Sequence, residues 1–209
     1  MNDNLIIIGI SGGSGSGKSS ISKHILNEFG NDKCAIIEVD SYYKDLKKLT
    51  MEEREKTNFD HPDAIDFDLM TTDLNNFIIG EDISVPIYDY KTHTRSNSFR
   101  EIKSQNILII EGIFALLNKN IRSIMSLKVF VDTEDKVRLA RRIKRDMKYR
   151  KRTYESIVNQ YERNVRPMYE NYVAPLKNIS DLVITRGVKN TVAMQQLISN
   201  IRDMDNSKK

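Results

Sequence analysis

The segment Gly12–Ser19 has the residue types and the spacing that bind phosphate groups. It reads Gly-Gly-Ser-Gly-Ser-Gly-Lys-Ser and matches the pattern G-x-x-x-x-G-K-[ST] in full. Glycines let the backbone turn its amide groups toward phosphate oxygens, the following helix N-terminus adds its dipole, and the lysine reaches the outer phosphates. The Ser19 hydroxyl would meet a magnesium ion that bridges those phosphates. The segment therefore predicts binding of a nucleoside triphosphate. The residues expected to contact it are Gly12, Gly13, Ser14, Gly15, Ser16, Gly17, Lys18, Ser19 and Ser20.

Acidic residues stand at the ends of three aliphatic runs. Asp40 follows Cys34–Val39, Glu111 follows Ile107–Ile110, and Asp132 closes a third run. Because ligands of open α/β sheets collect at the carboxyl ends of the strands, Asp40 and Glu111 should lie beside the phosphate-binding loop. Glu111 suits a metal ligand, and Asp40 suits a metal ligand or the acceptor of a hydroxyl proton. Either could instead cap a turn or a helix start. For Asp132 we favour the cap of the helix that follows.

Two further segments combine aromatic rings with hydrogen-bonding groups. They are Asn58–Ala64, which reads Asn-Phe-Asp-His-Pro-Asp-Ala, and Pro86–Arg95, which reads Pro-Ile-Tyr-Asp-Tyr-Lys-Thr-His-Thr-Arg. Aromatic rings can flank a flat base, while imidazole and carboxylate groups can bond to its edge or to a ribose diol. The chemistry alone is weakly specific, since a histidine in a polar loop is more often a surface residue.

Ten of the 17 residues in Lys136–Arg152 are Lys or Arg. Helical spacing predicts a packing face made of four apolar residues, namely Leu139, Ala140, Ile143 and Met147. The same spacing places Arg138, Arg142 and Arg145 together on a different face. Three guanidinium groups in a row suit a lid that closes on polyphosphate. The alternative is a solvated or RNA-binding basic helix.

The elements that must position these groups alternate between strands and helices. Five short aliphatic runs predict buried strands, at Leu5–Ile10, Cys34–Val39, Ile107–Ile110, Leu127–Val131 and Leu182–Thr185. A helix is predicted from about Gly17 to Phe29. This alternation predicts an α/β fold with a doubly wound parallel sheet. Two stretches interrupt it, a small β-hairpin lobe at about 83–102 and the basic helical lid at about 133–152, within a single domain spanning 1–209.

Composition limits the class of protein. Aliphatic runs such as Leu5–Ile8 are too short to span a bilayer, and the first residues lack the basic start and long apolar stretch of a signal peptide. The single cysteine, Cys34, excludes an internal disulfide framework and a thiolate zinc cluster. These features predict a cytoplasmic protein without a membrane partner. The net charge is a modest +4 and is concentrated in the basic stretch.

The order and approximate spacing of the motifs resemble those of the uridine kinase family over roughly residues 5 to 200. The matching blocks are Gly12–Ser19, Asp40–Lys44, Asn58–Asp63, Pro86–Arg95, Glu111–Ile113, Arg138–Asp146, Gln160–Tyr161, Arg166–Pro167 and Arg186–Gly187. The resemblance implies a P-loop kinase-type fold. It also implies transfer of the γ-phosphate of ATP or GTP, with Mg²⁺, to the 5′-hydroxyl of uridine or cytidine, which gives UMP or CMP in pyrimidine salvage. Family members are commonly tetramers, so we expect a homotetramer.

The resemblance also implies catalytic roles. Asp40 corresponds to the base that acts on the ribose 5′-hydroxyl, Glu111 to a metal-binding carboxylate, and Lys18 to the lysine that holds the phosphates. The lid arginines that contact phosphate and substrate correspond to Arg142, Arg145, Arg150 and Arg152.

For recognition of the nucleoside, the resemblance implies five further positions. Asp60 corresponds to the contact with the ribose hydroxyls, and Gln160 to a contact on the ribose side. Tyr88 and His93 correspond to residues that line the base pocket, and Tyr90 to an aromatic position of the same segment.

One position departs from the family. The lid usually reads Arg-Gly-Arg, whereas this chain reads Arg150-Lys151-Arg152. The lysine replaces a residue that tolerates left-handed backbone angles, so the end of the lid is expected to bend differently.

Two other functions remain open from the sequence. A related kinase such as phosphoribulokinase or pantothenate kinase would act on another acceptor, and the Asp60 and Tyr88–His93 blocks argue against it. A nucleotide-gated RNA-binding protein would use Lys136–Arg152, but only Tyr149 in that stretch offers a ring for stacking. We therefore expect small-molecule partners (uridine, cytidine and a nucleoside triphosphate) and no nucleic acid.

Overall fold

A computed structural model describes residues 4–208 of the chain. Five parallel strands form its central sheet, and two more form a separate antiparallel hairpin. In chain order the strands are β1 (Ile6–Ser11), β2 (Cys34–Glu38), β3 (Ile83–Asp89), β4 (Thr94–Ile102), β5 (Ile107–Glu111), β6 (Leu127–Asp132) and β7 (Leu182–Thr185). The order across the central sheet is β2-β5-β1-β6-β7, so β1 lies in the middle with β5 and β6 as its neighbours.

The central strand is buried along its whole length. Every residue of β1 is buried, as expected for an aliphatic strand covered on both faces of a parallel sheet. Ile8 is in register with Ile109 of β5 and with Leu127 of β6. This register brings the carboxyl ends of β1, β2 and β5 to one edge, where the phosphate-binding loop begins.

Helices connect most of the strands. They are α1 (Lys18–Phe29), α2 (Met51–Glu55), α3 (Phe67–Ile78), α4 (Lys119–Ser123), α5 (Asp135–Arg150), α6 (Tyr154–Gln160), α7 (Arg166–Met168) and α8 (Thr191–Ser207). The predicted end of α1 at Phe29 is confirmed, and the next residue, Gly30, caps the helix by donating its N–H to Leu26 O at a positive φ of 84°. Within residues 4–208, none of the helices is both long and apolar enough to cross a membrane.

Hydrophobic cores lie on both faces of the sheet. On one face α1 and α8 pack through residues such as Ile21 and Leu197. On the other face α3 and the β3–β4 hairpin pack through residues such as Phe77 and Val85. The predicted doubly wound α/β fold is therefore confirmed.

The basic helix packs through a different face from the one predicted. The residues of α5 that are buried are Arg138, Arg142 and Asp146, whereas Met147 of the predicted apolar face is 49% exposed. The prediction assumed that burial follows hydrophobicity. Here the helix lies against the phosphate-binding loop, and a buried charge is acceptable there because carboxylates and backbone oxygens pair with the guanidinium groups.

Asp132 does not cap this helix. The N-cap position is Glu134, which makes no side-chain cap hydrogen bond, and Asp132 Oδ2 instead accepts from Lys177 Nζ at 2.7 Å. The prediction of a cap at Asp132 is wrong because the chain runs two residues further before α5 begins, and Lys177 is the available cation.

Two π-helical turns interrupt the segment after α6. They are Tyr161–Val165 and Tyr169–Val173, on either side of α7, and a 3₁₀ turn, Ala174–Ile179, ends the segment. The wider turns shift the side chains around the helix axis. In this segment Tyr169 lies under the Arg138 guanidinium, 3.8 Å from ring centroid to Cζ, and Tyr172 Oη lies 3.0 Å from His61 Nε2.

Candidate active site

The phosphate-binding loop connects β1 to α1 in a conformation that depends on glycine. Gly12, Gly15 and Gly17 have φ angles of 146°, 80° and 104°, which L side chains rarely adopt. Space is also limiting, since a Cβ on Gly15 would lie 2.5 Å from Arg138 O. The loop therefore packs directly against α5, and its residues Ser16 and Lys18 are buried while Ser20 is exposed on α1.

Lys18 is anchored within this loop. Its Nζ donates to Gly12 O at 2.9 Å and to Gly13 O at 3.2 Å. Burial lowers the pKa of Lys18, and the charges of Glu111 and Asp40 oppose that shift. The ammonium group thus lies near two carboxylates at the carboxyl edge of the sheet.

Ser19 and Glu111 join the start of α1 to the end of β5. Ser19 Oγ donates to Glu111 Oε1 at 2.8 Å, and Glu111 Oε2 is buried without a hydrogen-bond partner among residues 4–208. Burial raises the pKa of Glu111, and the charge of Lys18 opposes the rise. A hydroxyl beside a carboxylate with an unused oxygen fits Mg²⁺, which takes one or two such ligands and fills its shell with phosphate oxygens and water. The described residues hold no cluster of three acidic, His or Cys side chains that could bind a metal by themselves.

Asp40 lies just beyond β2, in the short 3₁₀ turn Val39–Tyr42. Tyr90 Oη, from the hairpin, donates to its Oδ2 at 3.3 Å. The charge of Asp40 raises the pKa of Lys18, Glu111 and Asp60, so its carboxylate lies near all three groups. The carboxylate is partly exposed, so a hydroxyl group could reach it.

Asp60 faces α5. It is 9% exposed, and its Oδ1 lies 3.9 Å from Arg142 Nη1. Burial raises the pKa of Asp60, the charge of Arg142 lowers it, and the charge of Asp40 raises it further. The two predicted acceptor-side carboxylates are therefore neighbours.

Five rings from three segments form an aromatic cluster beside these carboxylates. Its members are Tyr43, Phe59, Tyr88, Tyr90 and His93. His93 stacks on Phe59 with a centroid distance of 4.8 Å and an interplanar angle of 15°. Tyr88 contacts Tyr43 at 5.1 Å and Tyr90 at 5.5 Å, and its hydroxyl is buried without a partner among the described side chains and backbone. His93 has a φ of 53°, and burial lowers its pKa, which favours the neutral ring.

Of the four arginines of the predicted lid, Arg142 is buried and turns toward the phosphate-binding loop. Arg142 Nη1 donates to Ser14 Oγ at 3.0 Å, and its Nη2 donates to Gln160 Oε1 at 3.1 Å. Arg152 Nη1 donates to the same Gln160 oxygen at 2.5 Å. The charge of Arg145 lowers the pKa of both Lys18 and Asp60. Arg150 lies over the Tyr90 ring at 4.8 Å.

These contacts bring the predicted residues into one cleft. The phosphate-binding loop, Ser19 and Glu111 form its floor, the lid arginines and Gln160 form one wall, and Asp40, Asp60 and the aromatic cluster form the other. Phosphate groups on the loop and a hydroxyl beside Asp40 would lie side by side, which is the arrangement that phosphoryl transfer requires.

Four residues of this cleft were not singled out from the sequence. Phe59 and Tyr43 complete the aromatic cluster, and each lies within a motif block, so a ring next to a predicted polar contact is the signal that could have found it. Arg141 Nη1 donates to Ser16 O at 3.0 Å, and Thr133 Oγ1 donates to the same oxygen at 3.0 Å. Nothing in the local pattern distinguishes Arg141 from the other basic residues of α5.

Comparisons with known proteins agree with this geometry. The family model of the phosphoribulokinase / uridine kinase family matches residues 7–193. The uridine kinase of Streptococcus thermophilus is 49% identical over 205 residues, which cover 98% of this chain and 97% of that protein. The uridine kinase of Streptococcus pneumoniae is 48% identical over 201 residues, or 96% of this chain and 95% of that protein.

The fold has a solved counterpart in the phosphoribulokinase of Rhodobacter spheroides. Its TM-score is 0.66 at 17% identity, with 88% of this chain and 71% of that chain covered, so the likeness concerns the fold alone. The family assignment rests on two findings. The family model matches most of the sequence, and the Streptococcus thermophilus protein is 49% identical over nearly the whole chain. The chain belongs to the phosphoribulokinase / uridine kinase family.

Proposed function

We propose that the chain is a uridine/cytidine kinase that transfers the γ-phosphate of ATP or GTP to the nucleoside 5′-hydroxyl. The observation that carries this proposal is the cleft in which Asp40 and Asp60 lie between the phosphate-binding loop and the ring cluster of Tyr43, Phe59, Tyr88, Tyr90 and His93. The uridine kinases that cover nearly all of this chain support the same acceptor.

Asp40 is the proposed base. As the 5′-oxygen attacks the γ-phosphorus, the Asp40 carboxylate accepts the hydroxyl proton, and the bond between the γ-phosphorus and the β–γ bridging oxygen breaks to release the nucleoside diphosphate. Tyr90 orients the carboxylate through its hydrogen bond to Oδ2. The products are UMP or CMP and ADP or GDP.

Donor binding is assigned to the loop and to the residues around it. Backbone amides of Gly12–Ser19 and the Lys18 ammonium hold the phosphates, and Arg142 and Arg145 stabilise charge on the transferred group. Ser19 and Glu111, with Asp40 nearby, would hold Mg²⁺, which neutralises phosphate charge when bound.

Acceptor recognition is assigned to the opposite wall. Asp60 has the burial and position to accept hydrogen bonds from the ribose hydroxyls, and Gln160 and Arg152 close the ribose side. His93 and Tyr88 would contact the base, with Phe59 and Tyr90 beside them. A base is flat and apolar on its faces, which suits a site made of rings.

The RNA-binding alternative fits these contacts poorly. Arg138 and Arg142 are buried, and their guanidinium groups bond to protein oxygens rather than face outward. Exposed cations of α5 such as Lys144 and Lys148 could still contact a phosphate backbone, but Tyr149 is the single ring in Lys136–Arg152 on which a base could stack. We therefore assign the basic helix to a lid over small-molecule substrates.

Three further assignments belong to this proposal. The protein acts as a single catalytic domain with the hairpin as a lobe and α5 as the lid, it works in the cytoplasm, and it assembles as a homotetramer. Analytical ultracentrifugation of the purified protein measures its oligomeric state directly.

The decisive experiment is an assay of the purified chain with Mg²⁺ and either ATP or GTP. We expect UMP from uridine and CMP from cytidine, detected by chromatography, and loss of most turnover in Asp40→Asn with both substrates still bound. A wild-type protein that phosphorylates neither nucleoside would refute the function. Near-normal turnover in Asp40→Asn would remove Asp40 from the role of base.

A further inference from the structure

Asp146 is an acidic residue at the centre of the basic helix, and its side chain is fully buried. Its Oδ1 accepts from Arg145 Nε at 2.8 Å and lies 3.6 Å from Arg150 Nη1. Its Oδ2 lies 3.6 Å from Arg142 Nε and 4.0 Å from Arg152 Nη1. One carboxylate therefore gathers all four arginines of the proposed lid.

Arg142 shows how this carboxylate is used. The two terminal nitrogens of its guanidinium bond to Ser14 and Gln160, so they face the phosphate-binding loop and the lid wall. Its third nitrogen, Nε, points toward Asp146. Among residues 4–208, both Arg142 Nε and Asp146 Oδ2 are buried without a hydrogen bond. Asp146 thus lies behind the guanidinium, on the side away from the loop.

Charge balance explains why a carboxylate is needed there. Four guanidinium groups held close together repel one another, and low exposure strengthens that repulsion most at Arg142, whose side chain is 6% exposed. A single central carboxylate offsets part of it and leaves the cluster with an excess of positive charge. That excess favours an anionic ligand, and the contacts to Arg142 and Arg145 keep their cationic ends directed at the cleft.

We propose that Asp146 is a positioning residue for phosphoryl transfer, which orients Arg142 and Arg145 toward the transferred phosphoryl group and touches no substrate itself. The inference rests on the proposed kinase function. Asp146 cannot contact the ligand because its carboxylate is enclosed by the arginines that would do so. Its effect must therefore appear through them.

The test is Asp146→Asn, which keeps the shape of the side chain and removes its charge. Asp203→Asn, an exposed site on α8, is the matched control. We expect kcat to fall at least tenfold in Asp146→Asn while the Kd for ATP, measured by calorimetry, changes less than threefold. A residue needed only for folding would lower the fraction of active protein and leave kcat per folded molecule unchanged. A kcat within twofold of the wild-type value would overturn the proposal.

A double-mutant cycle with Arg142→Lys separates positioning from an independent role. If Asp146 acts through the arginines, Asp146→Asn should reduce kcat much less in the Arg142→Lys background than in the wild type. Fully additive losses would contradict the proposal.

Should Asp146→Asn fail to fold, Asp146→Asn/Arg150→Gln removes one charge of each sign and keeps the net charge of the cluster. We expect the kcat of Asp146→Asn/Arg150→Gln to be at least tenfold lower than that of Arg150→Gln alone. A difference in kcat below twofold between these two variants would overturn the inference. A wild-type protein that phosphorylates neither uridine nor cytidine would refute the proposed function instead. In that case the same comparisons, made on ATP hydrolysis, would support or overturn the role of Asp146 independently.

Discussion

Tyr90 reaches from the β3–β4 hairpin to the end of β2 and donates a hydrogen bond from its hydroxyl to Oδ2 of Asp40 at 3.3 Å. The face of the same ring lies 4.8 Å from the Arg150 guanidinium. One tyrosine therefore connects the proposed base to the end of the lid. Because the hairpin and β2 are distant in sequence, this connection exists only in the folded chain.

Tyr90→Phe should reduce kcat about fivefold, because a net hydrogen bond contributes about 1 kcal/mol and that energy corresponds to about a fivefold change in rate. The phenyl ring keeps its packing, so the KM for the nucleoside should change less than twofold. Steady-state kinetics with both substrates varied measure the two effects. Tyr149→Phe is the matched control, since that side chain is 70% exposed. An unchanged kcat in Tyr90→Phe would show that the hydroxyl does not orient Asp40.

Magnesium dependence should vary with pH through Glu111. Burial raises the pKa of this carboxyl, so protonation competes with the metal at a higher pH than for an exposed glutamate. The carboxylate is ionised above that raised pKa. As the pH falls through it, the apparent affinity for Mg²⁺ should weaken by up to tenfold per pH unit, and added Mg²⁺ should shift the acid limb of kcat/KM to lower pH.

Magnesium titrations of turnover at several pH values check this prediction. Glu111→Gln should bind Mg²⁺ more weakly at every pH and should lose the part of the pH dependence that Glu111 contributes. Ser19→Ala keeps the Glu111 carboxylate, so it should weaken Mg²⁺ binding and retain the pH dependence of that binding. If the acid limb of kcat/KM does not shift with the Mg²⁺ concentration, Glu111 is excluded as a metal ligand.

Lys151 occupies a backbone conformation that suits glycine. It follows α5 at φ 53° and ψ 33°, in the left-handed region. The lysine was expected to make the end of the lid bend differently, but Lys151 adopts the left-handed angles that glycine favours. Left-handed angles cost an L residue about 1–2 kcal/mol, and the flexibility of glycine in the unfolded chain offsets about half of that.

Lys151→Gly should therefore raise the free energy of unfolding by about 0.5–1 kcal/mol. Lys148→Gly, the same change inside α5, should lower it by about 1 kcal/mol. Denaturant unfolding of the wild type and of both variants measures these two changes in the free energy of unfolding. Equal destabilisation by the two changes would show that the backbone at Lys151 is not strained.

The sequence predicted the fold and the motif positions because each depends on local patterns. The aliphatic run of β1, the glycine loop and Gly30 are all readable from neighbouring residues. The buried face of α5 was not readable in this way, since it is buried by packing against the distant phosphate-binding loop, where Arg142 Nη1 donates to Ser14 Oγ and a Cβ on Gly15 would lie 2.5 Å from Arg138 O. Asp146 is the single acidic residue of Lys136–Arg152, but which arginines it contacts is visible only in the structure. Asp132 was misassigned for the same reason, because its cation, Lys177, lies 45 residues away.

Phe59 should contribute to binding of the nucleoside base. Its ring stacks on His93 and meets the edges of Tyr43 and Tyr88, so it holds the ring cluster together. Contacts between a base and an aromatic ring contribute about 1–3 kcal/mol, and leucine keeps the apolar volume without the flat face. Phe59→Leu should raise the KM for uridine and cytidine about tenfold, which corresponds to about 1.4 kcal/mol. The KM for ATP should stay within twofold because the phosphate-binding loop is unchanged.

Phe99→Leu is the matched control for this change, since that ring is 57% exposed on β4 and lies outside the cluster. It should leave both KM values unaltered. His93→Ala provides a second test on the same wall, and it should raise the nucleoside KM in the same direction because it removes the other half of the stacked pair. If Phe59→Leu instead raised the KM for ATP and left that for the nucleoside unchanged, the ring cluster would belong to the donor side of the cleft.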